Sequence, residues 1–558
     1  MKKILSTILI AALGAPLLSS CIDETLPQSN TVTEKQAAEA PGSYDNFVKT
    51  ITTSLAGKRI YRPSDSGLVY DFGLPSFFLS RDALGQDIVC GGSNNWFDTW
   101  YQVSSALGPG YAACQFPWTL YYTWIDNCNT VIRMAGETPD AGKITGAGIA
   151  HAMRAMFYMD IARMFAAKPY SLDKNAETVP LVTGNEADLT HNPRATNEAM
   201  WKVILADLDK AEQYIANYER PDVYTPNISV VYGLKARAYL ETQDWAQAEK
   251  YAKLAQKGFT VMSGDEYTSK ENGFNSPNGA WMFALKYVQE DPNILDNDGD
   301  SSWGSVMQLE STSGMGYASN YGGPQSIDRH LYETIPETDV RKKCFISFAI
   351  DELGSKAEQV EALKEYAYKE SETYATSIWN SAQTAKKSIG GLSVKFRANG
   401  GDEGRKNPKI GFSVSVPVMR VEEMKLIEAE AAGMQDQARG IALLTEFARL
   451  RDPNYEYGKH NEAYGNTKTS AFQNEVWWQR RVELWGEGFA TFDIKRLNKG
   501  IIRSYPNTNH QENYRWNTPS YPHWMNLCII ETELRYNLDC TQNDLPVPPT
   551  SDSPEYKW

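Results

Sequence analysis

The chain has 558 residues and a formal charge of −14, with 69 Asp and Glu against 55 Lys and Arg. So acidic a surface excludes nucleic acid as a partner and excludes charge-driven docking onto anionic lipid. Hydrophobic content of 42% supplies a large core, and past the first apolar run no stretch approaches the ~20 residues of a membrane-spanning helix.

Lys2 and Lys3 precede an apolar run from Ile4 to Leu18, and residues 18–21 read Leu-Ser-Ser-Cys. A run of ~15 residues is a leader rather than an anchor. Small Ser19 and Ser20 admit a peptidase, and Cys21 offers the thiol that receives diacylglycerol, so the pattern is that of a bacterial lipoprotein. Losing Lys2 and Lys3 takes the charge from −14 to −16. The division expected is a signal peptide over 1–20, a polar lipidated tether over 21–40 and a body over 41–558. Six cysteines remain after Cys21 and none forms a C-x-x-C pair. A core of this size needs no staples, so buried thiols and sparse disulfides are both open.

The body reads as mainly α. Residues 145–165 place Met153, Phe157, Ile161 and Met164 on one stripe. Residues 196–217 place Ile204, Leu208, Ala211 and Ile215 on another, with Thr196 or Asn197 as N-cap. In 229–257, Val231, Leu234 and Ala238 form one stripe and Trp245, Ala248, Ala252 and Ala255 a second, joined by a turn at Thr242-Gln243-Asp244. Small residues where helices approach, and a large aromatic after the turn, resemble a tetratricopeptide unit. A second such pair covers 420–450, with Val421, Met424, Ile427 and Ala431 before a turn at Gly433, then Leu443, Phe447 and Leu450. Further pairs are expected at 117–134 with 145–165 and at 472–499. The spacing is irregular, so the repeats are interrupted, with few short strands and one buried-strand candidate at Trp281–Val288. The helical scaffold is expected over about 41–60, 116–260 and 412–500. Loop-rich binding regions are expected over about 61–115 and 263–411, and an irregular segment over 501–558.

Aromatics are abundant, with 15 Trp, 31 Tyr and 19 Phe, and many fall among Gly, Asn and Ser where no core periodicity claims them. A sugar ring packs its C–H face on an aromatic while its hydroxyls take Asn, Asp or Arg partners. "GGSNNWFDTWYQ" (91–102) offers Asn95, Trp96, Trp100 and Tyr101, with Arg81 in the preceding stretch. Residues 300–323 offer Trp303, Tyr317 and Tyr321. These eight residues are the expected glycan-binding set. Trp100 and Tyr101 could equally begin a helical core, and Trp118, Trp124 and Trp485 sit on helical stripes and belong to the core.

Taken in order, these segments resemble the SusD/RagB family of nutrient-binding lipoproteins of Bacteroidetes. "FPWTLYYTWIDNCNTVI" (116–132), "MRAMFYMDIARMFAAKPY" (153–170), "DLDKAEQYI" (207–215), "KARAYLETQDWAQAEKYA" (235–252) and "HLYETIPETDVRKKCFI" (330–346) carry the likeness. "VPVMRVEEMKLIEAEA" (416–431) and "RRVELWGEGFATFDIKRLNKG" (480–500) are the most specific. The match loosens at 529–544, where only Glu533, Asn537 and Gln542-Asn543 of the family pattern are kept. Asp23-Glu24 behind Cys21 is similar to the surface-export signal of such lipoproteins. The resemblance implies tetratricopeptide-like helical repeats with a loop-rich ligand-binding face. It also implies a SusC-like TonB-dependent outer-membrane transporter as partner, an oligosaccharide or polysaccharide ligand, and a lipid-anchored place on the cell exterior. Some branches take peptides instead.

No enzyme constellation is evident, with no H-E-x-x-H, G-x-S-x-G, Walker or dinucleotide motif. Glu483 and Glu487, four residues apart, are expected to share one helix face, as glycosidase carboxylates could, but Arg480, Arg481, Lys495 and Arg496 nearby make structural ion pairs the expectation. Asp296-Asn297-Asp298-Gly299-Asp300 alternates acids like a calcium loop yet lacks the later Glu of an EF-hand, so a solvated turn is expected and no cofactor is assigned, with bound calcium as the alternative. The function expected is non-catalytic glycan capture. A peptide-binding member, a surface glycoside hydrolase and a lid without a ligand of its own are the alternatives.

Overall fold

The computed structural model describes residues 40–57, 70–90, 95–296, 299–312, 315–320, 323–462, 464–465 and 468–558. The chain divides into two compact units, Met1–Tyr44 and Asp45–Trp558. Cys21 and its leader lie outside the described residues, as does Tyr321. Among the described residues no helix is long and apolar enough to cross a membrane.

The larger unit is built on helices α1 (Leu74–Ala83), α2 (Ala112–Ala135), α3 (Ile144–Phe165), α4 (Asn197–Tyr214), α5 (Ile228–Thr242) and α6 (Trp245–Ala255). These continue, after a long excursion, in α7 (Lys356–Leu363), α8 (Glu372–Ala385), α9 (Val421–Gln435), α10 (Gln437–Ala448), α11 (Ala471–Glu483) and α12 (Ala490–Arg496). Successive helices from α2 to α6 pack against one another, α9 pairs with α10, and α6 lies against α9. The fold is therefore the expected array of interrupted helical hairpins with few short strands.

Local chemistry explains the boundaries. Thr196 caps α4, its side chain accepting the Ala199 N–H at 3.2 Å. Asp244 caps α6 at Gln247 N–H, 3.2 Å, after Gln243 takes a left-handed conformation at φ 61° that ends α5. Ser470 and Gln473 form a reciprocal capping box at the start of α11. The expected stripes at 153–164, 204–215 and 231–238 are all buried, and Arg237 clamps α5 to α9 through both oxygens of Glu423 at 2.7 and 2.6 Å.

The second hairpin differs in detail. Helix α9 runs past Gly433 to Gln435, and the break falls at Asp436, which caps α10 by accepting from Ala438 N–H at 3.1 Å. Gly433 stays helical because it is a crossing point. A Cβ there would meet the Phe472 ring at 2.1 Å, and one on Gly440 would meet the Gly433 Cα at 2.2 Å. Leu444 and Phe447 continue the packing, whereas Leu450 is exposed.

Among the described residues, three two-stranded antiparallel sheets tie separate segments: β1 (Ile88–Val89) with β5 (Ser326–Ile327), β2 (Glu177–Pro180) with β3 (Arg194–Thr196), and β4 (Trp281–Lys286) with β6 (Ser415–Arg420). The strand expected at 281–288 is β4. Its pairing with β6, from Trp281↔Arg420 to Lys286↔Ser415, closes the excursion 287–414 at its neck. That excursion was expected to be loop-rich, yet it carries α7 and α8 over a core of its own that includes Ile346, Leu363, Tyr374, Ile378 and Leu392. The six cysteines after Cys21 are free thiols, five of them buried.

Candidate functional site

Packing, rather than burial alone, divides the eight expected glycan-binding residues into three groups. Five are core. Arg81, on α1, donates to Asp160 at 3.1 Å and lies over the Phe492 ring at 4.5 Å. Trp100 is 2% exposed and packs edge-on to Tyr70 at 5.0 Å. Tyr101 is fully buried, its hydroxyl 2.7 Å from His510 Nδ1 and its ring 4.3 Å beneath Arg503. Arg503 in turn donates to the Ala83 and Gly85 carbonyls just past α1, which fixes the whole corner. Trp303 is 1% exposed between Phe78 and Phe396, at 6.2 and 5.1 Å. The expectation that Trp303 stands on a loop above the body is thereby corrected. Ser302 caps a short helix over Trp303–Met307 that turns the indole inward. Asn95 is also buried, and its Oδ1 accepts the Phe97 N–H at 2.9 Å. Tyr321 lies outside the described residues.

Trp96 and Tyr317 remain, and they are brought together. The Asn95 side-chain turn and the Asp98 N–H donating to the Asn95 carbonyl at 3.0 Å send Phe97 into the core and leave Trp96 half-buried at the surface. The Trp96 indole stacks on the Tyr317 ring at 3.8 Å with planes 29° apart. Tyr317 is itself buried, fixed by its N–H donating to Ser305 Oγ at 2.6 Å. Gly323 makes room for that ring, since a Cβ there would fall 1.6 Å from it. Burial raises the Tyr317 hydroxyl well above its ordinary range, so it stays neutral and accepts the Trp96 N–H at 2.7 Å.

Two charged groups beside this stack were not singled out from sequence. Burial pushes the half-buried Asp98 carboxyl up to about 7, opposed by Lys387. Burial pulls the Lys387 ammonium down to about 8, opposed by Cys90 and Asp98. Lys387 donates to the Pro324 and Val89 carbonyls at 2.6 and 3.2 Å. Asp98 sits two residues after Trp96 and could have been found by proximity. Lys387 carries no sequence signal, because its segment is brought here by long-range pairing, the Ser326↔Leu392 bridge beside the β1–β5 ladder. A flat aromatic beside a carboxyl that titrates near neutrality suits a polyhydroxylated ring.

The carboxylates that could pass for catalytic are sealed in. Helix α11 ends at Glu483, so Glu487 lies in the following turn rather than on the same helical face. Glu483 accepts from Arg451 Nε at 3.0 Å, from Arg420 Nη1 at 3.2 Å and from Arg341 Nη1 at 3.4 Å. Glu487 accepts from Arg420 Nε at 2.8 Å and Lys395 Nζ at 2.7 Å. Burial opposes ionisation of Glu483, and the three arginines overcome it and hold the carboxyl well below its usual range. They are structural ion pairs, though not with the neighbours expected. Arg480 pairs with Asp493, Arg481 with Asp87, and Arg496 with Glu430, while Lys495 donates to the Arg163 carbonyl. Of the candidate calcium loop, Asn297 and Asp298 lie outside the described residues. Among the described residues no three metal-ligating side chains converge.

Residues 239–544 match the sequence model of the SusD family, more than half of the chain, and the chain belongs to that family. No curated protein sequence matches it. Among solved structures, it is similar to a SusD-like carbohydrate binding protein from Bacteroides vulgatus, with 19% identity and a TM-score of 0.65 over 89% of this chain and 97% of that one. A SusD superfamily protein from Bacteroides thetaiotaomicron gives 18% identity and a TM-score of 0.64 over 92% and 100%. A surface glycan-binding protein A from Bacteroides fluxus gives 14% identity and a TM-score of 0.57 over 90% and 99%. At these identities the likeness is one of fold.

Proposed function

We propose that this protein is a non-catalytic, lipid-anchored glycan-binding protein of the outer cell surface that captures oligosaccharide or polysaccharide and passes it to a SusC-like TonB-dependent transporter. The observation that carries the reading is the half-buried Trp96 indole, propped on a buried Tyr317 and flanked by Asp98. Membership of the SusD family supports it, as do fold neighbours described as carbohydrate-binding and glycan-binding. Binding raises the ligand's local concentration at the pore, and no bond is broken. No cofactor enters this function.

The leader ahead of Cys21 supports the anchor, and Asp23-Glu24 behind it supports exposure on the outer face. A glycan array probed with the chain lacking leader and lipid tests the reading. Retention on at least one glycan class, with no reducing ends released, is expected. Retention of extended peptides with no glycan retained would overturn it.

A further inference from the structure

We propose that residues 553–558 present a second sugar-stacking surface, with the Trp558 indole as platform and a pyranose ring as ligand. This rests on the glycan-binding function above and lies apart from Trp96 in the chain. The segment is held by four hydrogen bonds. Ser504 Oγ donates to the Ser553 carbonyl at 3.0 Å, and Asn517 N–H donates to Ser553 Oγ at 3.0 Å. Asn517 Nδ2 donates to the Pro554 carbonyl at 3.0 Å, and Tyr556 N–H donates to the Ser504 carbonyl at 2.9 Å.

What this pinning delivers is not a buried side chain. Trp558 stays 49% exposed. One face of its ring lies parallel to His330, with centroids 3.4 Å apart and planes 4° apart. Tyr556 and Tyr505 meet it edge-on at 4.9 and 6.0 Å, and Tyr464 meets Tyr556 at 4.7 Å. His330 cannot swing away, because its Nε2 lies 3.1 Å from Glu462, a carboxylate also gripped by Arg481. An indole backed on one face, walled by tyrosine edges and open on the other is a preformed stacking surface, with little side-chain entropy left to lose on binding.

The test compares wild type, Trp96→Ala, Trp558→Ala and Trp558→Tyr by electrophoresis in gels cast with amylopectin, laminarin, galactomannan, arabinoxylan or rhamnogalacturonan. Calorimetry follows with the hexasaccharide of whichever polymer retards the protein. The expected result is two hexasaccharides per wild-type chain and one per Trp558→Ala chain. Retardation by the polymer should weaken about tenfold in Trp558→Ala and recover in part in Trp558→Tyr, at an unchanged Tm. Wild-type behaviour of Trp558→Ala, in a gel where Trp96→Ala loses retardation, overturns the second surface and leaves the proposed function standing. A lowered Tm in both Trp558 variants, with stoichiometry unchanged, makes the ring a structural lock and also overturns it. No retardation of any form by any polymer removes both readings.

Discussion

The indole of Trp96 stacks on the ring of Tyr317 at 3.8 Å, and the Tyr317 hydroxyl accepts the Trp96 backbone N–H at 2.7 Å. The two aromatics are thus not equivalent. Tyr317 is buried and sets the position, while Trp96 is half-buried and offers the surface. Trp96→Ala should weaken glycan binding by roughly 1–3 kcal/mol, about ten- to a hundredfold, with little change in melting. Tyr317→Ala should instead destabilise the fold by roughly 3–5 kcal/mol, as loss of a core aromatic does. Calorimetric titration paired with thermal melts checks both. Early melting of Trp96→Ala with unchanged affinity in the folded fraction would remove Trp96 from the site.

Glu483 is surrounded by three guanidinium groups with no exposed surface. Glu483→Gln keeps the shape and removes the charge that compensates them. Uncompensated buried charge costs about 3–5 kcal/mol, so urea unfolding should show a large drop in midpoint. Any glycan bound by the folded variant should remain unhydrolysed, as with wild type. Release of reducing ends by wild type but not by Glu483→Gln would make the carboxylate catalytic.

His460 lies flat on Trp478, with centroids 3.5 Å apart, and burial pulls its imidazole down to about 4. The folded protein therefore keeps it neutral where the unfolded chain, titrating near 6.5, would take a proton. The stability it contributes is fully present above pH 6.5 and is lost as pH falls to about 4, up to about 3 kcal/mol. Unfolding midpoints of wild type and His460→Phe, followed from pH 7.5 to pH 4, should diverge in that window. Parallel curves would show that His460 does not govern the acid limb.

The helical body was legible because its signals are local. Capping and turn residues such as Thr196 and Asp244 stand next to the stripes they begin, and a period of 3.6 needs no partner to be seen. The site was legible only in part. Gly- and Asn-rich surroundings suggested that Trp303 was exposed and left Trp100 and Tyr101 open between site and core. What buries Trp303 is Phe78 and Phe396, and what buries Tyr101 is His510 and Arg503. Such partners lie tens to hundreds of residues away, and neither periodicity nor composition records long-range contact. The core beneath α7 and α8 was only half hidden: Val360 with Leu363, and Tyr374, Ile378 and Ala382, carry helical spacing, whereas Leu309, Ile346, Leu392 and Val394 reach the same core from outside those helices.

Cys21→Ala removes the thiol proposed to carry lipid and touches nothing in the described fold. The variant should fold with an unchanged Tm and appear in the soluble fraction of cells lacking the partner transporter. Membrane fractionation by immunoblot reads the outcome, and retention of the variant in the outer membrane would contradict a tether made of lipid alone.

Asp98 gives the site a pH signature that separates binding from folding. Burial raises its carboxyl to about 7 against the pull of Lys387. For an acid with a raised folded value, stability is fully present below the ordinary carboxylate range and is lost as pH rises through about 7. A sugar hydroxyl needs an acceptor, and the ionised carboxylate is the better one. Affinity should therefore increase across the same interval in which Asp98 lowers stability. Asp98→Asn should flatten both trends, with affinity near the low-pH wild-type value throughout and stability no longer falling near neutrality. Titrations and melts of the two proteins between pH 5.5 and pH 8.5 measure this directly. A wild-type affinity that is flat over that interval, or a slope that survives in Asp98→Asn, would place the carboxyl outside the ligand's reach and leave the Trp96–Tyr317 stack to bind alone.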